Sequence, residues 1–154
     1  MSEAGEGSAA SAAAVRVWRS GSEEETREIG ARLAAELAPR GVLLLEGDLG
    51  SGKTVLAQGI AAGLGIDPRQ VQSPTYTLIR EHRGELGRLV HADLYRLEPA
   101  EAGALGLEEL AAGEAVVVVE WAERLPFPLP GARRLRLARL PGGGREIVEQ
   151  PQQT

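Results

Sequence analysis

The sequence predicts an α/β domain with a mixed, mostly parallel sheet. Segments typical of strands alternate with segments of helical periodicity, which is the pattern of a sheet covered by helices. The segments at 42–46 and 115–121 contain continuous apolar runs that end before Glu46 and Glu120, as expected for parallel strands that are buried on both faces. The residues "RGELG", 83–87, join two further strand-like segments and predict a hairpin, so at least one strand pair is antiparallel.

The first half of the chain predicts strand, helix, strand and helix in that order. Ser22 and Glu25 are spaced as in a capping box, which marks the start of the first helix. Glycine typically ends a helix, and Gly65 follows the second helical pattern at that position. The predicted elements are a strand at 15–18, a helix ending within 38–41, a strand at 42–46 and a helix from Lys53 to Gly65. The apolar face of the first helix is formed by Ile29, Leu33 and Leu37, and that of the second by Leu56, Ile60 and Leu64.

The second half predicts mainly strands. A loop through Ser73 and Pro74 leads into the hairpin, and residues 99–112 favour a helix that is interrupted around Gly103 and Gly106. The predicted strands lie at about 76–82, 87–97, 115–121, 133–140 and 145–149.

Length and composition narrow the class of protein. With 154 residues the chain is expected to form one domain, residues 15–150, between disordered ends at 1–14 and 151–154. The absence of cysteine excludes disulfides and thiolate chemistry, and two histidines are too few for a His-rich metal cluster. A formal net charge of -5 argues against a protein that coats nucleic acid by itself. The sequence has no apolar run of membrane-spanning length and no signal-peptide pattern at its start, so we expect a cytoplasmic protein.

One position departs from the arginine bias of this chain. The sequence has sixteen arginines and a single lysine, Lys53, within "GDLGSGKT", residues 47–54. An ammonium group is a compact point charge, whereas a guanidinium group is a broad planar fork. A lysine at this position alone indicates a site that needs a point charge in a tight space.

The same segment matches G-x-x-x-x-G-K-[ST], the motif of a phosphate-binding loop. Gly47 and Gly52 leave room for backbone N–H groups to curl around phosphate oxygens, and the second helix directs its first N–H groups at them. Lys53 is predicted to reach the β and γ phosphates, and the Thr54 hydroxyl to bind Mg²⁺. This loop in an α/β domain predicts a P-loop NTPase-like three-layer sandwich; the alternative is a glycine-rich turn with a lysine by chance. The predicted nucleotide-binding residues of the loop are Gly47, Asp48, Leu49, Gly50, Ser51, Gly52, Lys53, Thr54 and Val55.

Two carboxylates follow apolar strands and are candidates for the metal. Asp93 lies where the strand at 87–97 should run out, and Glu120 directly follows the buried run. Either could ligate Mg²⁺, directly or through water, and Glu120 could instead orient the attacking water. The alternative is that one of the two caps a loop or pairs with an arginine. Lys53, Asp93 and Glu120 are therefore the predicted catalytic residues, and Thr54, Glu120 and Asp93 the predicted metal ligands.

Three aromatic or imidazole side chains remain near these positions. Trp121 either lies beside the nucleotide or belongs to the core, and the sequence leaves both open. We interpret His91 as a strand histidine with satisfied polar atoms rather than a catalyst, and we expect His82 to be exposed.

Four segments, taken in order, resemble one known family: "GDLGSGKT", "SPTYTL", "HADLYRL" and "VVEW". Together with "GRE" at 144–146 they are similar to the TsaE (YjeE) family, over residues from about 15 to 148. The resemblance implies an ATPase that binds ATP and Mg²⁺ and works with TsaD and TsaB, transferase subunits that attach threonylcarbamoyl to an adenosine of tRNA. It implies contact with tRNA only through that complex, and no membrane. Ser51 and Val55 stand where Ala and Thr are common, and both are small enough to preserve the loop.

The resemblance also implies roles for individual residues. Thr54 and Glu120 would bind the metal, and Asp93 would be the acid of a Walker B-like segment. Thr75 and Tyr76 would lie in a mobile loop that responds to the nucleotide. Arg145 would approach the phosphates or the base, and Ser22 and Glu23 would border the nucleotide.

Other functions remain open at this point. A small-molecule P-loop kinase is the main alternative, although the acidic segment 97–112 lacks arginine and would make a poor phosphate lid. A GTPase is disfavoured because the chain has no asparagine for guanine recognition and its one lysine is already used. A nucleotide-sensing subunit without catalysis is a third possibility.

A late strand carries alternating arginines. Arg134 and Arg136 alternate with leucines within 133–140, so they share one strand face. We favour a solvated edge strand protected by charge, and the alternative is a contact with tRNA or a protein partner.

Overall fold

The computed structural model describes residues 16–72, 78–98, 101 and 105–151, and these form helices on both sides of a seven-stranded sheet. Within this part of the chain no helix is long and apolar enough to cross a membrane. Short 3-10 helices lie at Pro68–Gln70 and Ala122–Arg124. The strands and α-helices are β1 (Arg16–Ser20), α1 (Glu23–Leu37), β2 (Gly41–Glu46), α2 (Lys53–Gly63), β3 (Ile79–Gly84), β4 (Gly87–Asp93), α3 (Leu107–Ala112), β5 (Val116–Glu120), β6 (Arg133–Arg139) and β7 (Arg145–Gln150).

The sheet has the strand order β1-β7-β6-β2-β5-β4-β3, and the predicted α/β fold is confirmed. The four central strands β6, β2, β5 and β4 pair in parallel, while β1, β7 and β3 pair antiparallel at the flanks. The carboxyl ends of parallel strands meet at one edge of a sheet, and ligand sites lie beyond that edge. The register places Glu120 opposite both Leu45 and Asp93, so the two predicted acids are neighbours there.

Successive side chains of the central strands point to opposite faces of the sheet and so build two apolar layers. Leu43 and Leu45 of β2 face the side covered by α1 and α2, whereas Val42 and Leu44 face the side covered by α3 and the segment that follows β5. Each fully buried side chain of this kind stabilises the fold by roughly 1.5–3 kcal/mol. The continuous apolar runs thus produce strands buried on both faces, as predicted.

Helix α1 is fixed beside α2 by its cap and by glycine. The Ser22 hydroxyl accepts the backbone N–H of Glu25 at 3.1 Å, and the Glu25 carboxylate accepts the N–H of Gly21 at 2.6 Å, one residue before the expected position. A Cβ at Gly30 would lie 2.5 Å from the Leu56 carbonyl oxygen, so only glycine permits this approach. The close packing brings the start of α1 next to the glycine-rich loop.

Several predicted bounds were wrong. Strand β4 does not extend to 97 but ends at Asp93, where that acid was expected to lie. The Leu94 N–H donates to the Glu120 carbonyl and the Asp93 carboxylate accepts the Tyr95 N–H, which turns the chain out of the sheet. Only residues 107–112 of the expected helix are α-helical among those described, residues 101 and 105 being 3-10, and the predicted interruption at Gly106, φ 72°, is confirmed. Residues 99–100 and 102–104 lie outside the described part, as do residues 73–77, which include the predicted loop through Ser73 and Pro74 and the first two residues of the strand predicted at 76–82.

The arginines of β6 do not lie on an edge strand. Strand β6 pairs with β2 on one side and β7 on the other, so the prediction of a solvated edge was wrong. Arg134 and Arg136 both form ion pairs with the Glu46 carboxylate at the end of β2. His82, expected to be exposed, is half-buried on β3.

Candidate functional site

A cavity of about 340 Å³ lies at the carboxyl edge of the parallel strands. It is bounded by the loop between β2 and α2, the start of α1, the end of β5 and the turn between β6 and β7. Its volume suits a small organic ligand. The predicted site residues that line it are Ser22, Glu23, Leu49, Gly50, Gly52, Lys53, Thr54, Val55, Glu120, Trp121 and Arg145, and they are joined by two that sequence reasoning missed, Thr26 and Gly143.

The glycine-rich loop has the geometry that its motif requires. Gly47 has φ 149°, and a Cβ there would lie 2.5 Å from the Leu137 carbonyl oxygen, so a larger residue cannot occupy the position. The Ser51 N–H donates to the Asp48 carbonyl at 3.0 Å, which closes a turn before α2 begins. The predicted residues Gly47, Asp48 and Ser51 support the cavity from behind and are not part of its lining.

Lys53 is held inside this loop. Its Nζ donates to the Gly47 carbonyl, to the Asp48 carbonyl at 3.0 Å and to the Ser51 hydroxyl at 3.5 Å, and its residue is only 5% exposed. Burial lowers the pKa of Lys53 from its ordinary value, and nearby carboxylates, Glu120 foremost, partly oppose that effect. A compact ammonium bound by three oxygens in a loop fits the interpretation that this position needs a point charge.

Trp121 forms a wall of the cavity. Its ring centroid lies 3.9 Å from Lys53 Nζ and 4.8 Å from the ring centroid of Tyr95. Its backbone adopts φ 59°, a conformation that costs a non-glycine residue about 1–3 kcal/mol. Trp121 also packs against the apolar layer on the α3 side, as the core alternative predicts, and it lines the cavity, so a position beside the nucleotide stays a prediction.

Glu120 joins α2 to the sheet. The Thr54 hydroxyl donates to its carboxylate, with Oγ1 2.9 Å from Oε1 and 3.1 Å from Oε2. On the other side, His91 Nε2 lies 2.6 Å from Oε2. Glu120 and His91 are 1% and 0% exposed. The sequence did not link His91 to Glu120, and the available signal was that His91 precedes Asp93 by two residues and therefore points to the same face of β4.

Asp93 lies next to Glu120 but behind the cavity. It is buried at the end of β4, and its Oδ1 accepts the Tyr95 N–H at 3.0 Å. Asp93 does not line the cavity. Its bond with the Tyr95 N–H caps the loop that follows β4, which is the alternative role that the sequence left open for one of the two acids. Thr75 and Tyr76 lie outside the described residues.

The far wall of the cavity comes from α1 and from the β6–β7 turn. Ser22 and Glu23 lie at the start of α1, and the Thr26 hydroxyl, 2.7 Å from that of Ser20, lies one turn later. Arg145 donates from Nη1 to the Gly143 carbonyl at 2.8 Å, which holds its guanidinium at the rim. The helical spacing from Ser22 to Thr26 was the signal that could have identified the missed threonine.

The donor set fits a small divalent cation. The Thr54 hydroxyl and the Glu120 carboxylate are hard oxygen ligands that lie together at the cavity wall. No group of three or more His, Asp or Glu side chains that could hold a metal occurs in the part of the chain that the structure describes. A cation bound here would keep several non-protein ligands, which is typical of Mg²⁺ and atypical of Zn²⁺.

The chain matches a family model over most of its length. Residues 20–146 match the model of TsaE, described as threonylcarbamoyl adenosine biosynthesis protein TsaE. The chain is 44% identical over 132 residues to the tRNA threonylcarbamoyladenosine biosynthesis protein TsaE of Bacillus subtilis, which covers 85% of this chain and 82% of that protein. The TsaE protein of Treponema pallidum is 38% identical over 129 residues, 82% of this chain and 94% of that protein.

A solved structure has the same fold. The crystal structure of YdiB from Bacillus subtilis superposes with a TM-score of 0.72 and 35% sequence identity, over 89% of this chain and 86% of that chain. The matched residues include the loop before α2, the end of β5 and the start of α1, which together bound the cavity. On the family model, the relatives and the fold together, the chain belongs to the TsaE family of threonylcarbamoyl adenosine biosynthesis proteins.

Proposed function

We propose that the cavity binds ATP with Mg²⁺ and hydrolyses ATP in support of tRNA threonylcarbamoyladenosine biosynthesis, the process to which the family belongs. The observation that carries this proposal is the convergence of one buried lysine, a helix start and a Thr54–Glu120 pair on a single cavity. These are the parts with which phosphate-loop enzymes bind and activate a nucleotide triphosphate.

The loop and the start of α2 supply the phosphate site. The first backbone N–H groups of a helix have no carbonyl partner within it, and α2 directs them at the cavity. Lys53 adds a positive charge that can pass from the loop carbonyls to phosphate oxygens. ATP is favoured over GTP because the chain has no asparagine and its one lysine already lies in the loop.

Thr54 and Glu120 would hold Mg²⁺, and Asp93 would support them from behind. When bound, the cation neutralises negative charge that develops on the phosphates during transfer. Glu120 keeps its carboxylate at the cavity wall, where it can also orient a water. The site encloses the nucleotide between Trp121 and the start of α1, which limits the access of other water.

Partners and location complete the proposal. We infer that the chain acts with the TsaD and TsaB transferase subunits in the cytoplasm, that it reaches tRNA through them, and that its turnover alone is slow. No residue set among those described resembles a carbamoyl-transfer site, so group transfer would occur on a partner.

The test is ATP turnover by the purified chain, alone and then with the transferase pair and tRNA. We expect low turnover alone and a clear rise in the mixture. Lys53→Arg and Lys53→Ala should each lower turnover by about 100-fold or more, since loss of one preorganised charge at a reacting group costs that much. Arg69→Lys, an exposed basic residue outside the site, is the matched control and should change nothing.

Two outcomes would contradict the proposal. Turnover that does not respond to the mixture, with phosphate appearing on an added small molecule, would favour a kinase. Tight ATP binding with no hydrolysis in any mixture would favour a nucleotide-sensing subunit.

A further inference from the structure

His91 is a buried histidine that forms a hydrogen bond with the proposed metal ligand Glu120. It lies on β4, opposite Val118 of β5, and has no exposed surface. Its Nε2 contacts Glu120 Oε2 at 2.6 Å, while its Nδ1 has no hydrogen-bond partner among the described residues.

This environment fixes the position of the imidazole proton. A carboxylate oxygen only accepts, so the short contact with Glu120 requires a proton on Nε2. The geometry therefore assigns His91 Nε2 the role of hydrogen-bond donor to Glu120.

We propose that His91 is a positioning residue that orients the Glu120 carboxylate for the divalent cation, an inference that rests on the proposed function. Glu120 receives hydrogen bonds from two elements, α2 through Thr54 and β4 through His91. Thr54 belongs to the proposed ligand set, so its hydroxyl must serve the cation as well. His91 is the donor that stands outside this set, and it can hold Glu120 both with and without the cation.

The hydrogen bond from His91 matters for the cation because of where it meets the carboxylate. His91 binds one oxygen of Glu120, Oε2, from within the sheet, while Glu120 also lines the cavity. The bond thus fixes the carboxylate that a cation in the cavity would meet. Hydrogen-bond donors behind a metal ligand typically contribute 10–100-fold to metal affinity by such orientation. A histidine that only fills the core would contribute to folding and not to metal affinity.

The experiment measures Mg²⁺ dependence in His91→Leu and His91→Gln. Calorimetric ATP binding is measured in a chelator and then across a Mg²⁺ series, so that metal affinity is separated from turnover. We expect His91→Leu to raise the Mg²⁺ concentration for half-maximal effect by about tenfold, with ATP binding in chelator unchanged. His91→Gln places an amide donor at a similar distance and should restore most of the affinity. His82→Gln is the matched control and should leave the Mg²⁺ dependence as it is.

A spectroscopic measurement on the unaltered chain makes the test independent of variant folding. The sequence has only two histidines, so long-range ¹H–¹⁵N spectra give two ring patterns, which His82→Gln assigns. We expect a proton on His91 Nε2. Protonation at Nδ1 alone, or a His91→Leu protein with unchanged Mg²⁺ dependence, would overturn the inference. Failure of the unaltered chain to bind ATP would instead contradict the proposed function. The pattern of the His91 ring would still show whether Nε2 donates to Glu120.

Discussion

Two glutamates end neighbouring central strands, and their partners differ in charge. Glu46 ends β2 and Glu120 ends β5, at the same edge of the sheet but on opposite faces. Both are buried, at 6% and 1% exposure. Glu46 is paired with two guanidinium groups, those of Arg134 and Arg136, whereas the carboxylate of Glu120 receives hydrogen bonds from a hydroxyl and an imidazole of the described residues.

The difference separates a structural carboxylate from one available to a ligand. Two arginines more than compensate the charge of Glu46, so a cation would gain little there. Glu120 has hydrogen bonds but no arginine partner among the described residues, and the ammonium of Lys53, with which it interacts electrostatically, donates to loop carbonyls instead. A bound divalent cation would supply the missing positive charge. The pair thus shows how one sheet edge carries both an ion-pair cluster and a proposed cation site.

Replacing Glu120 should produce the largest effect. Glu120→Gln keeps the size of the side chain but removes the charge, so we expect Mg²⁺-dependent ATP turnover to fall by about 100-fold or more. The free energy of unfolding, measured in urea, should stay within about 1 kcal/mol of that of the unaltered chain, because the lost charge was not paired with an arginine. Glu46→Gln serves as the matched control at the same edge. Equal loss of turnover in both variants would refute the distinction.

Replacing Glu46 should affect stability instead. Glu46→Gln leaves two arginines side by side on β6, and we expect the free energy of unfolding to fall by about 1–3 kcal/mol, limited because both guanidiniums can reach water. ATP affinity should not change. Glu36→Gln, which removes a more exposed partner of Arg16 and Arg133, is the control and should cost below about 1 kcal/mol. A larger loss of unfolding free energy in Glu36→Gln than in Glu46→Gln would contradict the deeper burial of Glu46.

The same two glutamates show what the sequence could predict. Glu120 was predicted because it follows an apolar strand directly, and the loop around Lys53 because its motif is contiguous; both signals are local. The cluster of Glu46 with Arg134 and Arg136, the Glu46 cluster, was missed because Arg134 lies 88 residues from Glu46 along the chain. The contact between Arg134 and Glu46 depends on β6 lying next to β2. The bond between His91 and Glu120 depends likewise on the pairing of β4 with β5. Strand order arises from packing of the whole sheet, and no segment encodes it alone.

The exposed member of the Glu46 cluster sharpens the comparison. The Arg136 side chain is 60% exposed, so Arg136→Gln should lower the free energy of unfolding by no more than about 1 kcal/mol. Arg134→Gln should cost more, because its side chain is less exposed. Urea unfolding of both variants measures the difference. If assembly with the transferase subunits weakens in Arg136→Gln while stability is kept, the partner contact left open for this strand is supported; unchanged assembly counts against it.

The smallest predicted effect concerns the burial of His82, which forms no ion pair with any described residue. Burial lowers the pKa of His82 below its ordinary value of 6.5, and the positive charge of Arg80 lowers it further. As the pH falls through that value, the unfolded chain takes up a proton that the folded chain binds less readily, so His82 lowers stability on the acid side and not above it. Between about pH 8 and about pH 5.5 the unaltered chain should therefore lose more stability than His82→Gln. A difference that is constant with pH in urea titrations would show that water reaches this ring freely.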